Sequence, residues 1–223
     1  MAQKRLFVVL GLGTFGSALA ERLSKNGCRV TGVDANRDRV DNLKDVLYEA
    51  VVGDVAARDT LADLSLSTCD AVFISLGERQ NITPSVLATL HCRELGAKRI
   101  IVKGLSRDHA RILEALDVDR VVFPETEIAC SLADRMTWPN VLDFMPIDPE
   151  YSFVEVATPD SMVGRTLRET DLRRRYNISV IGVKDVLTGK LSLFPEPDFT
   201  FGADQLMIVV ARQEELKRFR DVK

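Results

Sequence analysis

Short apolar runs alternate with longer amphipathic segments through the first 123 residues. The runs are LFVVL at 6–10, RVTGV at 29–33, EAVV at 49–52, AVFIS at 71–75, RIIV at 99–102 and RVVF at 120–123. Each is too short for a buried helix and rich in β-branched residues, so each predicts a strand. The amphipathic segments between them predict helices near 15–26, 37–46, 58–65, 82–95 and 107–116. Strand and helix in strict alternation predict a Rossmann-like, doubly wound α/β fold around a parallel sheet. Helix ends agree with this reading. Gly27 follows Lys25 and Asn26, and Gly96 follows Leu95, where a left-handed cap favours glycine. Asn81 or Thr83 is placed to cap the helix that takes Pro84 into its first turn.

A further helix is predicted at 125–136, where Ile128, Leu132 and Met136 recur at fourfold spacing and form one apolar stripe. After Trp138 the pattern changes. Pro139, Pro146, Pro149 and Pro159 interrupt it, and the stretch from Pro139 reads as a connection leading into a strand at 152–157. A polar helix near 166–174, ISVIGVKD at 178–185, a turn at Thr188 and Gly189, KLSLF at 190–194 and QLMIVVA at 205–211 complete a small α+β domain. The expected division is therefore 1–138, closing on the helix near 125–138, and 139–223, linker included.

Composition narrows the possible partners. The 223 residues are 46% hydrophobic and 28% charged, enough apolar material for a core, and the net charge is −3 without a long Lys or Arg block. That leaves no electrostatic footprint for nucleic acid or an anionic membrane. No apolar stretch approaches the roughly 20 residues a spanning helix needs. The N-terminal MAQKRLFVVLGLGTFG has a basic start and an apolar run, but its glycines and the missing small-residue cleavage site argue against a signal peptide. Cys28, Cys69, Cys92 and Cys130 are far apart and form no CxxC pair, so they read as small buried hydrophobes of a reducing cytosol.

The candidate chemistry sits where strands end. GLGTFG at 11–16 has the spacing GxGxxG directly after the first strand and opens a helix. If it binds a nucleotide, Gly11 permits the tight turn, Gly13 lets backbone approach phosphate, and Gly16 lets helix and strand pack closely. The helix N-terminus then presents N–H groups and partial positive charge to the phosphate, with Thr14 and Phe15 in the loop. Asp34 closes the next strand, about 20 residues on, where a carboxylate accepts ribose hydroxyls and disfavours a 2′-phosphate even with Arg37 and Arg39 nearby. The plainer reading is that Asp34 caps the following helix and the glycines only turn the chain. Gly53 and Asp54 follow the third strand, and SLGERQN, which includes Gly77 and Arg79, follows the fourth. Lys103 ends the fifth and is either a cleft residue or a snorkelling lysine. His91 and His109 both fall within predicted helices, which points to packing or surface roles rather than acid/base catalysis.

Taken in order, GLGTFG, VDAN, VVGDVA, ISLGERQN, IIVKG, SRDHARILEALDVDRVVFPE and YNISVIGVKD resemble the cytosolic regulatory subunits of bacterial Ktr and Trk potassium uptake systems. The likeness covers essentially the whole chain. It implies a regulator-of-K+-conductance (RCK) N-terminal domain and a TrkA-type C-terminal domain. It also implies dimers joined through a crossover helix and a ring, commonly of eight, docked on a membrane K+-translocating subunit. On that likeness the ligand is ATP, ADP or NAD(H), held by Gly11, Gly13, Thr14, Phe15, Gly16, Asp34, Asp54, Gly77, Arg79 and Lys103. Glu125 matches a position that helps hold a divalent cation, Mg or Ca, between subunits. Arg175, Asn177 and Ile178 border a groove that in related proteins holds cyclic di-AMP. Thr14 departs from the family pattern, in which ATP-discriminating members often carry arginine; a hydroxyl supplies no charge to a γ-phosphate. The resemblance thus implies a non-enzymatic, cytoplasmic subunit at the inner face of the membrane. The alternatives are an NAD-dependent dehydrogenase and an RCK regulator of another transporter.

Overall fold

The computed structural model describes residues 4–77, 81–137, 141–147 and 150–219. Contacts divide the chain into two compact units, Met1–Glu125 and Thr126–Lys223.

The first unit runs β1 (Leu6–Leu10), α1 (Thr14–Lys25), β2 (Arg29–Asp34), α2 (Arg37–Asp41), β3 (Glu49–Val52), α3 (Arg58–Ala62), β4 (Ala71–Ile74), α4 (Thr83–Glu94), β5 (Ile100–Lys103), α5 (Arg107–Ala115), β6 (Arg120–Val122). Its strands form one sheet in the order β3-β2-β1-β4-β5-β6, every pair parallel. Successive side chains of β1 point to opposite faces. Val8 and Leu10 join a core with Val72, Ile74, Ile100 and Val102 under Leu61, Ala88 and Leu113. Val9 joins Val30, Ala20, Val40 and Leu43 on the other side. Helices cover both faces, and that is why these strands read as continuous apolar runs. Leu10 is fully buried, so truncation to Ala would cost roughly 2–5 kcal/mol.

Both expected glycine caps are present. Gly27 (φ +85°) and Gly96 (φ +82°) take left-handed conformations, and the N–H groups of Gly27 and Cys28 return to Ser24 and Leu23. The Asn81 side chain accepts from the Thr83 N–H at 3.3 Å at the start of α4. Two helices are shorter than their apolar period predicts. α2 ends at Asp41 and α3 at Ala62, but Leu43, Leu47 and Leu66 beyond them remain buried. Periodic burial there is carried by irregular backbone.

The helix α6 (Pro124–Thr137) leads into the second unit. There follow β7 (Val141–Pro146), β8 (Tyr151–Ala157), a 3₁₀ turn (Asp160–Met162), α7 (Leu167–Thr170), α8 (Leu172–Tyr176), β9 (Ser179–Asp185), β10 (Leu191–Leu193), β11 (Gln205–Arg212) and α9 (Gln213–Phe219). The antiparallel sheet has the order β10-β9-β11-β8-β7. Val154, Val156, Met207 and Val209 alternate inward against Leu172, Leu216 and Phe219. Three expectations change here. The stretch expected as a connection contains the edge strand β7, whose terminal Pro146 is tolerated because an edge strand need not donate on both sides. The single polar helix is broken by Asp171 at φ +48° into α7 and α8, with a Thr166–Glu169 capping box starting the first. And α9, too charged to stand out in the sequence, docks through Leu216 and Phe219.

The cysteines also depart in part from the expected burial. Cys69 and Cys92 are buried, and burial pushes the Cys92 thiol up to about 12. Cys28 is half-buried and Cys130 is exposed on α6.

Candidate functional site

In a parallel sheet the crevice for ligands opens at the carboxyl ends of the strands where strand order reverses, here between β1 and β4. A cleft of about 590 Å³ lies at that point. Gly11, Gly13, Thr14 and Phe15 of the β1–α1 loop form one wall, and Asp34, Ala35 and Arg39 lie beyond β2. Ser75, Gly77 and Asn81 come from the end of β4, and Lys103 and Glu125 close the far side. A larger hollow of about 1050 Å³ sits at the amino ends of the strands, around Arg5, Arg29, Glu49 and Asp70. Among the described residues no helix N-terminus or glycine loop lines it, because the helices of this unit begin at the opposite edge.

The three glycines are distinguishable by what a side chain would meet. Gly11 has φ +91°, and a Cβ there would lie 2.3 Å from the Ser75 carbonyl oxygen. A Cβ on Gly16 would lie 1.9 Å from the Gly11 oxygen, so this glycine permits the close packing of α1 on its own loop. At Gly13 a Cβ would meet nothing within 4 Å, because the position faces the open cleft. Gly13 is also the N-cap of α1 and offers no side-chain acceptor. The first-turn N–H groups of α1, without intrahelical acceptors, are thus left to whatever enters the cleft.

Asp34 is buried beside this turn. Its Oδ2 accepts from the Leu12 N–H at 2.7 Å and its Oδ1 from the Asn36 N–H at 2.8 Å. Arg39 adds a guanidinium contact at 3.4 Å. The cap of α2 is a different residue, Asn36, whose Oδ1 accepts from the Asp38 and Arg39 N–H groups. Asp34 therefore fastens the glycine loop to the end of β2 while lining the cleft.

Other predicted positions fare differently. Gly16 packs behind the loop rather than lining the cleft. Asp54 is exposed, accepts from the Ala56 N–H at 2.9 Å, and is not among the lining residues; its neighbour Val55 is. Gly77 lines the cleft at φ +83°. Arg79 lies outside the described residues. Lys103 Nζ stands 2.6 Å from Glu125 Oε1, a short charge-assisted bond. Among the described residues no group of three or more His, Cys, Asp or Glu is arranged to hold a metal ion.

His109 is fully buried on α5, where Nδ1 accepts from the Leu105 N–H at 3.2 Å and so holds the loop after β5. Burial lowers its pKa. In the second unit the candidates separate. Ile178 is buried against a groove of about 340 Å³ shared with Arg168, Asp171 and Arg173. Asn177 (φ +57°) donates to Glu215, and Arg175 stacks over the Tyr176 ring at 5.5 Å; neither lines the groove. The ion pair between Arg39 and Asp34 and the Leu12 bond escaped sequence reasoning. The Leu12 bond depends on β1–β2 register, Leu10 opposite Val33, which brings residues 22 apart into contact, whereas the Arg39 pair spans five residues and depends on how α2 leaves the end of β2.

Residues 7–124 match the TrkA-N domain, and residues 152–223 match the TrkA-C domain. Ktr system potassium uptake protein C of Bacillus subtilis (strain 168) is 32% identical over 217 residues, 97% of this chain and 96% of its own. Ktr system potassium uptake protein A of Vibrio alginolyticus is 31% identical over 210 residues, 94% of each chain. Among solved structures the GsuK channel bound to NAD is similar in fold, with a TM-score of 0.64 at 18% identity. That match takes in 99% of this chain but only 40% of the channel chain. With both domains matched and near-complete overlap at more than 30% identity, the chain belongs to the TrkA-N/TrkA-C family that contains the Ktr potassium uptake proteins.

Proposed function

We propose that the protein is a nucleotide-sensing regulatory subunit of a potassium uptake system. An adenosine nucleotide bound in the first unit shifts the assembly between two shapes and so gates a membrane K+-translocating subunit. The observation that carries this is the cleft itself. A glycine loop, a free helix N-terminus and a ribose-competent carboxylate converge in it, within a chain whose relatives at 94–97% coverage are named potassium uptake proteins. Gly11, Gly13, Thr14, Phe15 and Lys103 would hold phosphates, and Asp34 the ribose. Gly16 would act by packing and Gly77 by shaping the wall. Asp54 would reach the site only from its rim, and Arg79 is a candidate on the family likeness alone. Phosphate binding needs no reaction centre, so no turnover is expected. Among the described residues no helix is long and apolar enough to cross a membrane, and the membrane subunit would supply the pore.

Residues 1–138 would form the nucleotide domain and 139–223 the C-terminal domain, with α6 as the crossover helix of a homodimer that repeats into a ring. Its outward stripe of Ile128, Leu132 and Met136, each more than half exposed, supports this. A divalent cation near Glu125 and cyclic di-AMP near Ile178 are further ligands the family likeness suggests.

The test is direct. Nucleotide retained on purification is identified, and ATP, ADP, NAD and NADH are compared by calorimetry. At least one should bind with micromolar affinity, and deletion of the gene should change K+ uptake. Steady NAD reduction with a small substrate at an enzyme-like rate would instead establish a dehydrogenase. Nucleotide binding with unaltered K+ uptake would point to a different transporter.

A further inference from the structure

His109 stands in the first turn of α5 with both ring nitrogens out of water, and only one of them has a partner among the described residues. Nδ1 accepts from the Leu105 N–H at 3.2 Å. An accepting nitrogen carries no proton, so the ring is neutral and its hydrogen lies on Nε2, which is buried without an acceptor. Leu105 belongs to the loop between β5 and α5, and Ser106 beside it caps α5 by accepting from the His109 N–H at 3.1 Å. The Leu105 side chain in turn lies against Gly77. A Cβ on that glycine would stand 3.1 Å from Leu105 Cδ1 and 2.8 Å from the Asn81 carbonyl oxygen. Gly77 and Asn81 both line the cleft. One imidazole lone pair thus fixes the backbone of the residue that backs the β4 wall of that cleft.

We infer that His109 is a positioning residue for the cleft: its neutral imidazole holds Leu105 behind Gly77, so that adding a proton to this ring weakens nucleotide binding. The inference rests on the nucleotide reading of the cleft. A second proton can enter only at Nδ1, where it meets the Leu105 N–H, and a donor facing a donor breaks the bond. Leu105 must then shift, and Gly77 loses the side chain packed behind it. The surroundings offer the cation little. α5 itself carries Arg107, Asp108, Arg111 and Glu114; α4, packed beside it, carries His91, Arg93 and Glu94; β5 and β6 carry Lys103 and Arg120. Asp108 pairs with Arg111 and Glu94 with Arg58, and burial, not a charged neighbour, lowers the His109 pKa. The ring is therefore neutral above about pH 6.5 and takes up its proton below that ordinary value. Linkage makes the effect mutual. A nucleotide that favours the ordered wall lowers the His109 pKa further, so binding close to that pKa releases a proton.

The experiment is calorimetry of ATP, ADP and NAD across the range of about pH 7.5 to 5.5, well below the melting temperature of each protein. Wild type is compared with His109→Asn, whose carbonyl oxygen can take the place of Nδ1 and does not titrate, and with His109→Leu, which offers no acceptor. His109→Asn is the reference, because it cancels the titration of the ligand's own phosphates. Against it, wild-type affinity should fall by roughly three- to tenfold from the top of the range to the bottom. At the top the two should bind alike, and His109→Leu should bind more weakly than either throughout, with the pH profile of His109→Asn. At about pH 6 wild type should also release more protons on binding than His109→Asn, read from the dependence of the heat on the buffer's ionisation enthalpy. Parallel pH profiles for wild type and His109→Asn would overturn the inference with the nucleotide reading left standing. So would loss of binding in folded His109→Asn, or a His109→Leu that binds as tightly as wild type. If wild type bound none of the three nucleotides at any pH, the nucleotide reading itself would fall.

Discussion

A carboxylate oxygen carries two lone pairs, and at Asp34 one on each oxygen is taken by main chain, from Leu12 and Asn36. Oδ2 also accepts from Arg39 at 3.4 Å, so one lone pair on Oδ1 is open for a ribose hydroxyl, and a second opens when the half-exposed Arg39 side chain withdraws. The same side chain shapes the loop and, on the proposed function, would address the ligand, so Asp34→Ala should do two things. It should leave the buried Leu12 N–H without its acceptor, at a cost to stability of about 1–3 kcal/mol. It should also weaken ATP, ADP, NAD and NADH together, because they share the ribose. Urea unfolding without ligand reads the first effect and calorimetry well below the melting temperature reads the second; unchanged affinity for all four would remove Asp34 from the site. A second residue-scale outcome follows from His109. Burial holds its folded pKa below the ordinary 6.5, so in that window the unfolded chain binds more protons. Its share of stability is present above about pH 6.5 and is lost as pH falls toward the folded pKa. His109→Asn keeps an acceptor for the Leu105 N–H and removes the titration. Its unfolding free energy should then fall less than that of wild type between pH 7.5 and 5.5, as read by urea titration.

At the scale of elements, the sequence exposes what burial makes periodic and hides what pairing decides. The six parallel strands are legible within a residue or so because the sheet is covered on both faces, so most of them read as short apolar runs, β2 being broken by Thr31 and Gly32. The helices after β2 and β3 were overdrawn because Leu43, Leu47 and Leu66 continue the apolar spacing into the core after the helical hydrogen bonds have stopped. β7 was hidden by its flanking prolines, and only its pairing with β8, Phe144 opposite Val154, makes it a strand. Asp34 was legible from spacing to the glycine loop; the partnership of Lys103 with Glu125 was not, since 22 residues and a whole helix separate them. The stripe on α6 is one face, as its fourfold spacing predicts, and it is exposed: Ile128 69%, Leu132 58% and Met136 78%. If that face joins two copies, Leu132→Asp should shift sedimentation toward the monomer without lowering the melting temperature of the monomer itself, because the side chain contributes little to either core. A dimer that survives Leu132→Asp together with Ile128→Asp would rule α6 out as its interface.

At the scale of the whole molecule, gating is a statement about differences. A nucleotide moves the assembly only by the ratio of its affinities for two shapes; tight binding to both moves nothing. That ratio is reciprocal. If nucleotide changes the equilibrium between closed and open complexes, then engagement of the membrane subunit must change nucleotide affinity by the same factor. The first unit supplies a place for such a difference to arise: α6 begins at Pro124 within that unit and continues into the second, and Glu125 at its start is paired with Lys103 of the cleft. The expected outcome is measurable without recording a current. Calorimetry on the isolated protein and on its complex with the membrane subunit in detergent should give dissociation constants for the activating nucleotide that differ by roughly 5- to 150-fold, the usual span of a coupling free energy. The activating nucleotide should bind the complex more tightly and the resting-state nucleotide less tightly. Equal affinities for every nucleotide in the two preparations would mean that binding and gating are uncoupled, however well the cleft holds its ligand.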